Sequence, residues 1–354
     1  MPARARLEAL LTRAWLARGA LACLLWPLSV VYGTVIGLRR LAYRSGWLRT
    51  ERVGRPVVVI GNRIAGGAGK TPTVVALALH LQSRGWRPGV VSRGHGRSAR
   101  QVQHVDAGAA ALAVGDEPLL LRLRTGVPVV VGRDRIAAAR SLLAAHPEVD
   151  VLLADDGLQH LRLARDIEVL VFDARGAGNG WLLPAGPLRE PVDAPAAGRR
   201  IVLYNAAAPS TPLSGFTARR ELAGAVELSA WWRGEAADAA TWSSLRHRPV
   251  VACAGIAQPQ RFFEQLRAHG LTISELALPD HEPYADLPWP TQAPDVVITE
   301  KDAVKLQPQR MARERPGTRV WVAPLDFGPE PGFFDALDEA LATLTPRTAA
   351  PTTP

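Results

Sequence analysis

One short stretch constrains this chain more than any other. The β-branched run Val57 to Ile60 breaks at Gly61 into Gly61-Asn62-Arg63-Ile64-Ala65-Gly66-Gly67-Ala68-Gly69-Lys70-Thr71-Pro72, and the apolar, helix-length segment Val74 to Leu81 follows. A buried strand, a glycine-rich turn, Gly-Lys-Thr and a helix are the context in which such a turn closes on phosphate. Gly66, Gly67 and Gly69 let backbone N–H groups converge around Ala68, and the positive end of the following helix adds to the field. In this reading Lys70 reaches the β- and γ-phosphates of a bound nucleotide and the Thr71 hydroxyl faces Mg²⁺. Ile64 stands where the usual pattern has its first glycine.

A phosphate loop needs a carboxylate at the end of a neighbouring strand. The apolar run Val149 to Ala154, ending in Asp155-Asp156-Gly157-Leu158-Gln159-His160, has that layout. Adjacent carboxylates repel, so a buried pair calls for a cation. Gly115-Asp116-Glu117-Pro118 opens another helix-like segment. Asp116 there serves either as a helix cap or as a ligand-facing acid, and both readings stand, because strand-to-helix loops at one sheet edge are where ligands bind.

The N-terminal segment has a different chemistry. No charged side chain occurs from Gly19 to Leu38, and Leu21 to Leu38 is largely apolar, about the ~20 residues needed to cross a bilayer. Upstream, Leu7, Leu10, Leu11 and Ala14 recur at helical spacing with Arg6 and Arg13 on other faces. Arg39 and Arg40 follow at once, with no small-x-small cleavage site. A membrane anchor accommodates Pro27 and Gly33 better than a buried structural helix does, and it is compatible with spanning or with lying in one leaflet.

The remaining pattern is α/β. Ile167–Asp173 and Ile201–Asn205 read as strands; Gly176 to Pro191 is a long Gly/Pro-rich loop. A second α/β region has strands at Pro249–Ala254, Leu271–Leu278, Asp295–Thr299 and Arg319–Ala323, and helices at Pro259–His269 and Phe333–Leu344. The expected organisation is a membrane-associated segment at 1–48, a P-loop NTPase-like parallel-sheet domain at 49–206 and a linker at 207–245 with strand-like pieces near Phe216 and Val226. A smaller α/β domain at 246–342 and a disordered tail at 343–354 complete it. The net charge of +9 is spread through the 354 residues without a dense basic run, which argues against nucleic acid as a partner. Two distant cysteines, Cys23 and Cys253, argue against a disulfide framework or a zinc site.

Taken in order, Gly61-Asn62, Gly66 to Pro72, Ser92-Arg93-Gly94, Gly115 to Pro118, Asp155 to His160, Asn179-Gly180-Trp181, Leu183 to Pro191, Asp280-His281 and Thr299-Glu300-Lys301-Asp302 resemble the tetraacyldisaccharide 4'-kinase family over nearly the whole chain. The resemblance implies transfer of the γ-phosphate of ATP, with Mg²⁺, to the 4'-hydroxyl of a lipid-linked tetraacyldisaccharide 1-phosphate, giving lipid IVA. It implies work at the cytoplasmic face of the bacterial inner membrane, among its lipids. It also implies Asp116 as base, assisted by His281, with Glu117, Asp155 and Asp156 serving Mg²⁺ and the γ-phosphate and with Gln159 and Glu190 close by. His95, where the family usually has tyrosine, and Glu282, after His281, are departures. The competing reading is a dimerising membrane-surface ATPase switch without an acceptor; that class carries a second lysine in the loop, where this chain has Ala65. A soluble small-molecule kinase would leave Leu21–Leu38 without a role. Nothing in the sequence specifies an oligomeric state.

Overall fold

The computed structural model describes residues 14–97 and 101–344. The basic amphipathic helix read at Leu7 to Ala14 lies, up to Arg13, outside the described residues, as does most of the tail read at 343–354. The strands are, in chain order, β1 (Val57–Gly61), β2 (Pro88–Ser92), β3 (Gln103–His104), β4 (Val129–Val131), β5 (Val151–Asp155), β6 (Ile167–Asp173), β7 (Arg199–Asn205), β8 (Phe216–Leu222), β9 (Val226–Glu227), β10 (Val250–Ala254), β11 (Ile273–Ala277), β12 (Asp295–Thr299), β13 (Arg319–Ala323) and β14 (Leu325–Pro329). With the helices between them they make the α/β architecture expected from the sequence. Contacts divide the described residues into two compact units. One holds 14–89, 147–219 and 329–344; the other holds 90–146 and 220–328.

In the first unit β1 pairs in parallel with β5 and β6, β6 with β7, and β7 with β8, so the spatial order is β8-β7-β6-β1-β5. Every residue of β1, β5 and β6 is buried. That is why these strands read as unbroken apolar runs rather than as alternations: a parallel sheet covered on both faces has no solvent side. The register Ile60↔Asp155 places the ends of β1 and β5 side by side. The helix Lys70–Ser83 packs back on the sheet through Val74, Leu77, Ala78 and Leu81.

The N-terminal helix runs unbroken from Ala20 to Arg44, through Pro27. It is long and apolar enough to cross a membrane. Only Ala22 and Ser29 of it are buried. Ser29 donates to the Leu182 carbonyl (2.8 Å) and accepts from the Ala185 N–H (3.0 Å), and the Tyr32 hydroxyl donates to the Arg189 carbonyl (3.1 Å). A Cβ on Gly33 would sit 2.8 Å from Leu182 Cδ1, so any larger residue there would require the Leu182 side chain to shift. Leu24, Trp26, Leu28, Val31, Val35 and Leu38 stay exposed, Leu24 by 76%. A row of large exposed apolar groups on one helix is uncommon on a protein that meets only water.

In the second unit β2 pairs in parallel with β4, and β3 runs antiparallel along β4. A separate sheet has the order β11-β10-β12-β13-β9, parallel except for β9. Phe262, Phe263 and Leu266 of the helix Pro259–Ala268 fill its core with Trp242, Leu245 and Val297. The stretch 207–245, expected as a linker, carries β8, β9 and the helices Leu228–Trp232 and Ala240–Leu245. Leu222, Leu228, Trp231, Trp242 and Leu245 of this stretch are buried. The strand-like pieces near Phe216 and Val226 are β8 and β9, whereas the two short helices were not read from the sequence.

Candidate active site

The glycine-rich loop is held by side chains on either side of it. Asn62, wholly buried at the end of β1, donates from Nδ2 to the Gly66 carbonyl (3.0 Å) and accepts at Oδ1 from Lys70 Nζ (3.2 Å). Gly66 and Gly69 have φ of 92° and 89°, where a Cβ is strained. At Gly69 a Cβ would also lie 2.0 Å from Asn205 Nδ2 at the end of β7. Asn205 donates to the Ala68 carbonyl (3.3 Å), and Arg175, anchored on Asp173, donates to the Gly67 carbonyl (2.8 Å). Ile64 accounts for the missing first glycine. It is buried against Ala68 and Leu188, and it bridges to Leu188 in the long Gly/Pro-rich loop.

The two aspartates after β5 separate in their surroundings. Asp155 is buried at the strand end beside Ile60. Asp156, at φ 49°, turns outward to Lys70 (3.5 Å) and Arg189 (3.4 Å), which offset its charge. Gly61 permits this turn, since a Cβ there would meet Leu158 Cγ at 2.7 Å. Gln159 donates to Glu190 Oε1 (3.4 Å) and to the Asn62 carbonyl (3.4 Å), and Arg40 ion-pairs with Glu190. Lys70, Asp156, Gln159 and Glu190 thus share one hydrogen-bonded group in the first unit. Thr71 is half-buried at the start of the helix behind them.

The second constellation belongs to the second unit. The helix Asp116–Thr125 has Gly115 (φ 95°) at its N-cap, so Asp116 is the first helical residue rather than the cap. Asp116 Oδ1 accepts the Glu117 N–H at 2.9 Å, and Oδ2 lies 2.8 Å from His281 Nδ1. Lys301 Nζ lies 3.1 Å from Glu117, 3.2 Å from Asp280 and 3.3 Å from His281 Nε2. Burial pushes the Asp116 carboxyl up, but the His281 hydrogen bond and the nearby Lys301 charge outweigh it and hold the acid below its ordinary range. The hydrogen bond to Asp116 raises His281, while burial and Lys301 oppose that rise. Desolvation disfavours charge on Lys301, yet Glu117, Asp116 and Asp280 more than offset it and keep the ammonium above its usual value. His95, the departure noted above, has its ring 5.5 Å from that of His281. Asp116 and His281 were read into different domains, 49–206 and 246–342. The contacts place both in one unit, because residues 90–146 fold with 220–328.

Sequence reasoning assigned no role to Asn62, Arg175, Arg189, Asn205 or Lys301. Arg175 and Asn205 carried a usable signal: Arg175 lies just past the carboxyl end of β6 and Asn205 is the last residue of β7, where α/β sheets bind ligands. Among the described residues no three His, Cys, Asp or Glu side chains gather as a metal cage.

Comparison with known proteins places the chain in a family. The family model for tetraacyldisaccharide-1-P 4'-kinase matches residues 21–342. The tetraacyldisaccharide 4'-kinase of Methylibium petroleiphilum is 68% identical over 98% of this chain and 97% of its own length. That of Leptothrix cholodnii is 59% identical over 96% and 98%. The crystal structure of LpxK from Aquifex aeolicus in complex with ATP superposes with a TM-score of 0.76 at 26% identity, covering 92% of this chain and 99% of that one. On the sequence match and the shared fold together, this chain is a kinase that belongs to the tetraacyldisaccharide 4'-kinase family.

Proposed function

We propose that the chain transfers the γ-phosphate of ATP to the 4'-hydroxyl of a tetraacyldisaccharide 1-phosphate, forming lipid IVA at the cytoplasmic face of the inner membrane. The observation that carries this reading is Asp116. It is a buried carboxylate at a helix N-terminus, held ionised by His281 and Lys301 and therefore fit to accept a proton. In the reaction the sugar oxygen bonds to the γ-phosphorus and its proton passes to Asp116. The bond from the γ-phosphorus to the β–γ bridging oxygen breaks, and ADP leaves with the electron pair.

Lys70 and the N–H groups of Gly66 to Thr71 grip the phosphates, with Gln159, Asp156 and Glu190 bordering them; positioning and charge stabilisation account for most of such catalysis. The donors fit Mg²⁺. Thr71 and Asp155 offer hard oxygen atoms, and Mg²⁺ on a nucleotide needs only one or two protein carboxylates rather than a cage. Bound there, the ion would neutralise charge on the phosphoryl oxygens. The exposed apolar face of the helix Ala20–Arg44, ending in Arg39, Arg40 and Arg44, supports attachment to a lipid surface where an acylated acceptor resides.

The test is transfer of label from γ-labelled ATP to a tetraacyldisaccharide acceptor in detergent. A labelled glycolipid that requires the acceptor is the expected result. ATP turnover that ignores the acceptor would instead indicate the ATPase switch.

A further inference from the structure

Lys301 belongs to the string Thr299-Glu300-Lys301-Asp302, and the structure gives each member a contact. Thr299 caps the short helix Glu300–Ala303 by accepting the Asp302 N–H (3.3 Å). Glu300 takes Arg124 at 2.7 Å, tying down the far end of the helix that begins at Asp116, and also accepts from Trp231 Nε1 (3.2 Å). Asp302, wholly buried, accepts the Gly255 N–H (3.2 Å) and Lys305 (3.1 Å). Gly255 in turn accepts the backbone N–H of His281 (3.3 Å). Three of the four residues fix the backbone on which the Asp116–His281 pair stands. Lys301 alone reaches into the pair.

An ammonium has three N–H donors and no acceptor. Lys301 has three neighbours at hydrogen-bonding distance: Glu117 Oε1, Asp280 Oδ1 and His281 Nε2. The third contact works only if Nε2 presents its lone pair. The imidazole proton then resides on Nδ1, which faces Asp116 Oδ2 at 2.8 Å. Which ring nitrogen carries the proton is set by the bond the other one makes.

We propose that Lys301 is a positioning residue for phosphoryl transfer: by occupying Nε2 it locks His281 as the Nδ1–H tautomer, a donor to Asp116 and not a second base. This rests on the reading of Asp116 as the base. Each Asp116 oxygen then accepts one fixed donor, the Glu117 N–H on Oδ1 and His281 on Oδ2. The carboxylate is held in orientation with lone pairs left for the acceptor hydroxyl. With Lys301 removed, Nε2 is open to carry the proton, Nδ1 meets Asp116 lone pair to lone pair, and the orienting bond is lost.

The experiment is ¹⁵N NMR of His281 in the full-length protein at pH 8.5, in wild type, Lys301→Met and Lys301→Arg, with kcat, KM and Tm for each. Wild type is expected to show Nδ1–H, and Lys301→Met to show a shift to Nε2–H or a mixture. Its kcat should fall by about a hundredfold, the scale of a misplaced catalytic group, at nearly unchanged KM. Lys301→Arg, which keeps a donor, should keep the tautomer and more of the rate. Nε2–H or imidazolium in wild type overturns the proposal even if no variant folds. An unchanged tautomer in Lys301→Met overturns it as well. A wild-type lock accompanied by no phosphoryl transfer to the acceptor would instead refute the reading of Asp116.

Discussion

His281 Nδ1 lies 2.8 Å from Asp116 Oδ2, and the same Asp116 carboxylate takes the Glu117 N–H on its other oxygen. Two donors fix a carboxylate that is almost wholly buried, so its loss should show in the chemical step rather than in nucleotide affinity. Asp116→Asn keeps the shape and removes the basicity. It should lower kcat at least about a hundredfold and leave ATP binding within a factor of about three. Titration of a fluorescent nucleotide beside a transfer assay checks both, and a near-normal kcat would remove Asp116 as the base.

Lys70 is held between Asn62 Oδ1 at 3.2 Å and Asp156 Oδ1 at 3.5 Å, pointing over the loop it terminates. On the proposed function, Lys70→Ala removes the cation that meets the phosphates and should lower kcat/KM by roughly a hundredfold or more, in line with the loss of a preorganised charge donor. Asn62→Ala should act in the same direction more weakly, through the freed Gly66 carbonyl and the unrestrained lysine. Equal losses from the two variants would mean that Asn62 does more than hold the loop.

Gly69 and Gly85 have nearly the same backbone, φ 89° and 85°, but different surroundings. A Cβ at Gly69 would strike Asn205 at 2.0 Å, whereas at Gly85 it meets nothing within 4 Å. Gly85→Ala should cost about 1 kcal/mol of stability through strain alone and leave the kinase rate intact. Gly69→Ala should add displacement of Asn205 and of the Ala68 carbonyl, weakening nucleotide binding severely. Thermal melts with and without ATP separate the two, and equal ATP shifts would show that the Asn205 contact is unimportant.

The first unit was legible because parallel strands buried on both faces write themselves as apolar runs. Val57–Ile60 and Ile167–Asp173 need no partner information to be recognised. The glycine-rich turn between β1 and its helix was legible for a similar reason: its glycines and Lys70 lie within twelve consecutive residues. What escaped was long-range. Asn205 reaches the loop from 137 residues away, and Arg124 meets Glu300 across 176. Residues 90–146 fold with 220–328 through contacts between residues far apart in sequence, which no local pattern encodes; only the family resemblance paired Asp116 with His281. The segment 207–245 read as a linker for the opposite reason, since elements of two to seven residues are too short to show a period.

The two cysteines should behave as opposites. Cys23 is exposed on the N-terminal helix, whereas Cys253 is buried, and burial pushes its thiol up to about 12. Burial likewise raises the Tyr284 hydroxyl, 3.5 Å from the Cys253 sulfur, above its ordinary value. Iodoacetamide at pH 8 should therefore modify Cys23 alone in the native protein and reach Cys253 only after unfolding. The sign of the linked stability follows from the same shift. The unfolded chain releases the thiol proton near pH ~8.5, while the folded chain keeps it to about 12. Stability from this group is thus complete below the unfolded value and drains away as pH climbs toward the folded one. Melting temperature should drop between pH 8 and 10.5, and Cys253→Ala should flatten part of that slope. A Cys253 that alkylates in the native state as fast as Cys23, or a slope the substitution does not change, would show that the thiol is not sealed from solvent.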